Sequence, residues 1–253
     1  MNGAFYIAAT GLGTEQRALD VVANNIANVN TPGYKRSQMR FSELVSSTGQ
    51  TTDIASQQAS LTGSMLDTAS RVFAQGELKP TGQPLDIAID GEGFIELLGP
   101  GGQVMLWRGG SMKVDEDGYL AASNGMPLKA MISTPLNATS VSIDANGKVQ
   151  AVVPGASKPE QIGQVDLVRV KDTATLKVMD EGLYQPASES DLFSAAPGED
   201  GAGMLVPGSI EGSNVQLTDE MVTLLLLQRA YAANAQVVQA GDQLMAIANS
   251  LRR

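Results

Sequence analysis

The chain has no cysteine and no histidine among its 253 residues. The first absence excludes disulfides, thiolate metal sites and cysteine nucleophiles. The second excludes histidine-based zinc sites and serine–histidine triads. Aromatic residues make up only 4 %, with one tryptophan, Trp107, and five tyrosines. That is little material for the clustered exposed rings of a sugar-binding surface. Charged residues are sparse at 17 %, the formal net charge is −10, and no basic run occurs. Such a balance speaks against nucleic acid and anionic membrane surfaces as partners. No apolar run approaches the 18 or so residues of a membrane span, the longest being of the type "LLLL" at 224–227. The N-terminal "MNGAFYIAATGLG" has no basic region, no long apolar core and no small-residue cleavage pattern, so no cleaved signal peptide is expected.

What is present begins with periodicity. Phe5, Ala8, Leu12, Glu15, Leu19, Val22, Ile26 and Val29 step by three and four, a heptad seam with an acidic interruption at Glu15. The spacing predicts a helix of about 25 residues, roughly 37 Å long. It ends at Thr31-Pro32-Gly33, because a proline pushes its predecessor out of helical geometry. A second seam runs through Leu226, Ala230, Ala233, Val237, Ala240, Leu244, Ile247 and Leu251, with Ser213 or Asn214 as candidate cap. Leu224, Leu225, Leu227, Tyr231 and Val238 widen its apolar face. The two seams match in phase and length, so the terminal helices are expected to pair. A two-helix hairpin has little core of its own, and its broad small-residue faces favour further helices from other copies.

Between the helices the pattern changes. Residues 46–64 are 14 of 19 Ser, Thr, Gln or Gly, a linker-like composition. From residue 80 the period becomes two, with Leu85, Ile87 and Ile89 alternating with Asp86, Ala88 and Asp90. Asp-Gly and Asn-Gly turns at 90–91, 117–118 and 146–147 separate short β-type runs such as "FIELL", "VMLW", "VSI", "KVQAVV" and "VDLVRV". The expected fold is α+β: paired, coiled-coil-like N- and C-terminal helices enclosing an inserted antiparallel β domain. The expected division is a discontinuous helical assembly domain, 1–40 plus 211–253, an extended connecting stretch, 41–79, and a β-rich domain, 80–210.

No catalytic, cofactor-binding or metal-binding constellation emerges. "DEDG" at 115–118 resembles the start of a calcium loop, but Ala121 and Ala122 stand where ligands belong, and a hairpin turn explains it. Asp86 and Asp90 are expected to be the outward polar set of their strand. "GLGTE" at 11–15 lacks the third glycine and the preceding strand of a nucleotide loop. One feature asks for an explanation: "ANNIANVNTPGYKR" at 23–36 places Asn24, Asn25 and Asn28 at the end of a well-patterned helix. Either these amides are solvated at a fraying end, or they pair with a neighbouring chain and fix register, because a buried amide is costly unless paired.

Three ordered segments resemble the rod and hook family of bacterial flagellar axial proteins. "ANNIANVNTPGYKR" resembles its N-terminal signature, "GQPLDIAIDGEGFIEL" (82–97) the opening of its β domain, and "EGSNVQLTDEMVTLLLLQRAYAANAQVV" (211–238) its C-terminal signature. Within the family, residues 73–89 and 201–215 most resemble the distal rod member, then the proximal one. Two departures are the Trp107-Arg108-Gly109-Gly110 turn, where the family more often has "TRDG" or "TRNG", and a shorter Ser/Thr/Gln stretch. The resemblance implies a non-enzymatic structural subunit, without cofactor or metal. It also implies export through the flagellar type III channel without a cleaved signal, and a helical homopolymer in the periplasmic rod that transmits torque. The implied partners are copies of itself, other rod proteins, the hook and the surrounding ring bushing, with no nucleic acid and no membrane insertion. The implied subunit interface takes in Asn24, Asn25, Asn28, Thr31, Pro32, Gly33 and Tyr34 on the first helix and its turn. On the second helix it takes in Leu226, Ala230, Tyr231, Val237, Leu244, Ile247 and Leu251. A reading from another class is a secreted adhesive or carbohydrate-binding β module with helical tails.

Overall fold

Alternation and turn chemistry place the strands where the sequence puts them. A computed structural model describes residues 2–39, 41–42, 65–66, 70–155, 158–179 and 182–251. Most of the Ser/Thr/Gln-rich stretch therefore lies outside the described residues. Two compact units result. The first comprises the described residues within 1–27, 37–72 and 216–253; the second comprises those within 28–36 and 73–215. Residues 28–36, 73–79 and 211–215 thus go with the β-rich unit.

In the first unit, α1 (Asn2–Ala27) and α2 (Leu217–Leu251) pack on each other. Short antiparallel pairs, Ser37–Gln38 with Ser70–Arg71 and Phe41–Ser42 with Met65–Leu66, complete it. On α2 the face that packs is not that of the expected seam. On α2 the half-buried or buried side chains include Glu220, Leu224, Leu227, Asn234 and Val238. The row Leu226, Ala230, Ala233, Val237, Ala240 and Ile247 is exposed. The expected positions 226, 233 and 237 each stand one residue, about 100° around a helix, from the packed 227, 234 and 238, so the expected seam lies to one side of the packed one. On α1 every described member of the expected seam, Leu12, Glu15, Leu19, Val22 and Ile26, is at least half-buried, alongside Gly11, Ala18 and Asn25. The side chains of Phe5, Ala8, Leu244 and Leu251 lie outside the described ones.

The intrachain seam is polar. Asn234 Nδ2 donates to Glu15 Oε1 at 2.7 Å, and Gly11 makes room for it, since a Cβ there would stand 3.4 Å from that nitrogen. Ala18 and Val22 are the only fully buried apolar side chains of this unit among the described residues.

The second unit is built from small antiparallel sheets. One has the order Leu120–Ala122, Gly109–Val114, Asp86–Asp90, Met204–Pro207. Another runs Lys177–Val178, Leu183–Gln185, Val104–Trp107, Ile95–Leu98. A three-stranded meander (Ser140–Ile143, Lys148–Val152, Glu160–Gln164) and a two-stranded ladder (Leu167–Val170 with Leu192–Ala195) close the core. Ile87, Ile89, Leu97, Leu120, Val149 and Leu167 are all 0 % exposed at its centre. Phe73, Phe94 and Tyr184 form a second cluster, with ring centroids 5.1–5.9 Å apart.

Two local expectations are corrected here. Asp86 does not face outward: it is 8 % exposed and its Oδ2 accepts from Thr81 Oγ1 at 2.6 Å, a satisfied buried carboxylate. Neither Ser213 nor Asn214 caps α2, which starts at Leu217. The "DEDG" segment is a hairpin turn, Asp115 Oδ1 accepting from the N–H groups of Asp117 and Tyr119.

Candidate functional site

The segment that follows α1 carries much of the chain's buried polar chemistry. Thr31 closes a turn by donating its N–H to the Asn28 carbonyl at 3.1 Å, while its hydroxyl reaches Asn28 Oδ1 at 3.1 Å. Pro32 sets the next residue, and Gly33 takes φ +69°. A Cβ at Gly33 would touch nothing within 4 Å, so the requirement for glycine is conformational, not steric. Gly33→Val is therefore expected to lower the stability of the β-rich unit by about 1–2 kcal/mol and to weaken rod formation. Gly33→Asn, which tolerates left-handed geometry, should cost less. Thermal melts of both variants check the order; equal melts for wild type and Gly33→Val would mean an ordinary backbone at this turn.

In the helical unit, Asn25 is 1 % exposed. Its Nδ2 donates to the Ser37 carbonyl at 2.9 Å, and its Oδ1 accepts the Ser37 N–H at 2.9 Å. The amide thus imitates a neighbouring strand for Ser37. The same Nδ2 lies 3.3 Å from Glu220 Oε2, a fully buried carboxylate in the first turn of α2. Asn25 is engaged inside its own chain. Asn24 is exposed and Asn28 half-buried.

In the β-rich unit, Asn214 plays the matching part. Its Oδ1 accepts the Arg36 N–H at 2.6 Å, its Nδ2 donates to the Ala74 carbonyl at 2.8 Å, and its own N–H reaches the Tyr34 carbonyl at 3.3 Å. One amide ties three chain segments that would otherwise leave backbone groups unpaired.

Beside it sits a buried charge cluster. Lys35 is 0 %, Glu211 2 % and Arg108 5 % exposed. Glu211 Oε1 accepts from Lys35 Nζ and, at 2.8 Å, from the Gly76 N–H. Glu211 Oε2 accepts from Arg108 Nε at 3.2 Å and Nη2 at 3.1 Å. Arg108 Nη1 also donates to the carbonyls of Gly91 at 3.0 Å and Gly93 at 2.7 Å, and Lys35 Nζ to that of Ala74 at 2.9 Å. Burial pulls the Lys35 pKa down, and the Glu211 carboxylate opposes that pull. One carboxylate therefore joins the N-terminal signature, the Gly76 backbone just before the strand at Leu78–Pro80, and the Trp107-Arg108-Gly109-Gly110 turn. The glycines are required there: Gly109 has φ +95°, and a Cβ on Gly110 would lie 2.9 Å from the Trp107 ring.

Of the remaining expected interface residues, Thr31 and Pro32 are exposed, whereas Gly33 and Tyr34 are buried. Leu226 is 61 %, Val237 56 % and Ile247 56 % exposed, Tyr231 is 38 % exposed, and Ala230 is exposed as well. With Met221, Val222 and Leu225 they form a long apolar surface on α2. Sequence reasoning missed Lys35, Arg108, Glu211, Asn214 and Glu220. The available signal was charged residues inside otherwise apolar or turn-forming motifs. Among the described residues no group of His, Cys, Asp or Glu is arranged to hold a metal ion, and no helix is long and apolar enough to cross a membrane. What the arrangement does chemically is tie chain segments together.

Comparison with known proteins gives three family matches in chain order. Residues 5–35 match "Flagella basal body rod protein", 88–151 "Flagellar hook protein FlgE/F/G D1 domain", and 206–251 "Flagellar basal body rod FlgEFG protein C-terminal". The flagellar basal-body rod protein FlgG of Buchnera aphidicola (subsp. Acyrthosiphon pisum) is 33 % identical over 254 residues, covering 96 % of each chain. FlgG of Bacillus subtilis is 32 % identical over 263 residues, covering 99 % of each. The basal-body rod protein FlgF of Caulobacter vibrioides is 30 % identical over 245 residues, covering 94 % and 93 %.

Proposed function

We propose a role that proceeds from one fact: the chain belongs to the FlgG family of flagellar basal-body rod proteins. It is a structural protein of the rod, not an enzyme, and it assembles with rod proteins. Beyond that, copies of the chain polymerise into a helical tube in the distal rod and transmit torque towards the hook. The α1/α2 pairs of successive copies line the inside of that tube. Other rod proteins and the hook continue it at its ends, and the surrounding ring bushing is its outer partner. The chain reaches this place unfolded, through the flagellar type III channel.

The observation that carries this reading is the apolar surface of α2. A 35-residue helix leaves Met221, Val222, Leu225, Leu226, Val237 and Ile247 at least half exposed, while its packed face is partly polar. Exposed apolar patches of this length mark protein contacts, and a helix that is not apolar enough to cross a membrane and buries this face against none of the described residues needs other helices. Asn24, Thr31 and Pro32, exposed beside the signature turn, belong to the same proposed interface. Electron microscopy of pelleted full-length protein tests the reading. Hollow filaments are expected; a chain that stays monomeric at high concentration, even when seeded with isolated rods, would overturn it.

A further inference from the structure

We propose that the β-rich units of successive copies join head to tail, a contact that rests on the polymerisation proposed above. Phe193, with Arg169 and Lys171 beside it, seats in a pocket of a second copy rimmed by Asp115 and Glu116. Phe193 is 56 % exposed, although Phe73 and Phe94 are packed in the aromatic cluster. It lies on the Leu192–Ala195 strand directly opposite Arg169, and directly paired residues project from the same face of a ladder. An exposed ring beside a guanidinium is the composition typical of interface hot spots.

The guanidinium is held in place. Arg169 Nη1 donates to the Asp200 carbonyl at 2.8 Å and Nη2 to Glu92 Oε2 at 3.1 Å. Its Nε has no partner among the described residues. Lys171, two residues on, is exposed and has no ion pair among the described residues.

The complementary surface is elsewhere on the same unit. A pocket of about 520 Å³ is lined by Leu85, Val114, Leu136, Ala138 and Val141. Leu136, at 105 % exposure, stands free on a turn closed by the Ala138 N–H and the Pro135 carbonyl at 2.9 Å. Asp115 and Glu116 also line the pocket. Asp115 is fixed by capping its own turn, and Glu116 is exposed. An apolar pocket with an acidic rim suits a ring flanked by cations, on a chain whose net charge of −10 otherwise makes copies repel. Because ring and pocket are different patches, the contact is heterologous: each copy offers both, and the chain of contacts grows into a filament unless it closes into a ring.

The absence of cysteine makes the test clean. Full-length Ser194→Cys/Asn137→Cys protein, which keeps Phe193 and Leu136 and changes their exposed neighbours, is polymerised, then treated with a short bismaleimide. A ladder of covalent dimers, trimers and higher species is expected, with no ladder from either single variant. Lys171→Glu and Glu116→Lys, both at exposed sites, should each raise the concentration needed for polymerisation several-fold, and the double charge swap should recover most of the loss. Polymers that form normally but give no ladder, with a double swap no better than the singles, overturn this contact and leave self-assembly intact. A wild-type chain that does not polymerise at all overturns both.

Discussion

Glu211→Ala lowers the stability of the β-rich unit by about 3–5 kcal/mol, the cost of leaving buried charge unpaired. Lys35 and Arg108 would both remain inside without a carboxylate partner there, facing neutral carbonyls such as those of Ala74, Ile89, Gly91 and Gly93. The Gly76 N–H would lose its acceptor too. Because burial already pulls the Lys35 pKa down and Glu211 opposes it, losing the carboxylate pushes Lys35 further towards its neutral form. Lys35→Met removes one cation and keeps Glu211 bonded to Arg108, so its cost should be clearly smaller. Denaturant melts of full-length wild type, Glu211→Ala and Lys35→Met give the order. A Lys35→Met variant as unstable as Glu211→Ala would mean that the carboxylate is not the centre of the cluster.

Leu226→Asp and Val237→Asp each abolish polymerisation while leaving the folding of the single chain unchanged. The side chains are 61 % and 56 % exposed, so a carboxylate there meets water in the free subunit. In the tube it would be covered. Losing the burial of a Leu costs about 2 kcal/mol, and burying a charge without a partner adds several more. Since about 1.4 kcal/mol is tenfold in an equilibrium constant, the polymerisation threshold moves well beyond a hundredfold. Leu224→Asp is the contrasting control, because Leu224 lies on the face packed against α1 and is half-buried; it should loosen the helix pair even in the monomer. Sedimentation and thermal melts of the three variants separate the two faces of α2. Full polymerisation of Leu226→Asp would show that this face stays solvated.

The strands and turns of the β-rich unit were legible because alternation and Asp-Gly or Asn-Gly turns are local signals. The helices were legible as helices, as was the packed face of α1, and the packed face of α2 was not. Around residues 224–227 α2 is apolar on every side, so heptad steps fit more than one row. The row that packs within the chain includes Glu220 and Asn234, and the matching row of α1 includes Gly11, Glu15 and Asn25. A hydrophobic pattern passes over such a polar seam. The row through Leu226, Val237 and Ile247 drew the expected seam because it is the more hydrophobic one, and it is the one left exposed. Asn25 stood out as odd in the sequence, but the partner that explains it, Glu220, lies 195 residues away. The Glu211 cluster was invisible for the same reason, since its members are 103 and 176 residues apart. Asp86 was misplaced because alternation assigns an outward face to a strand whose first four residues are all buried.

The helices as the assembly element are tested most directly by amide hydrogen exchange of the full-length chain, free in dilute solution and again in the pelleted polymer. In the free chain, α1 and α2 should exchange quickly, because Ala18 and Val22 are the only fully buried apolar side chains of their unit among the described residues. In the polymer, residues 217–247 should gain the largest protection, with the strands at Asp86–Asp90 and Lys148–Val152 little changed. Protection gained only within 86–205, with the helices as labile as before, would contradict the account.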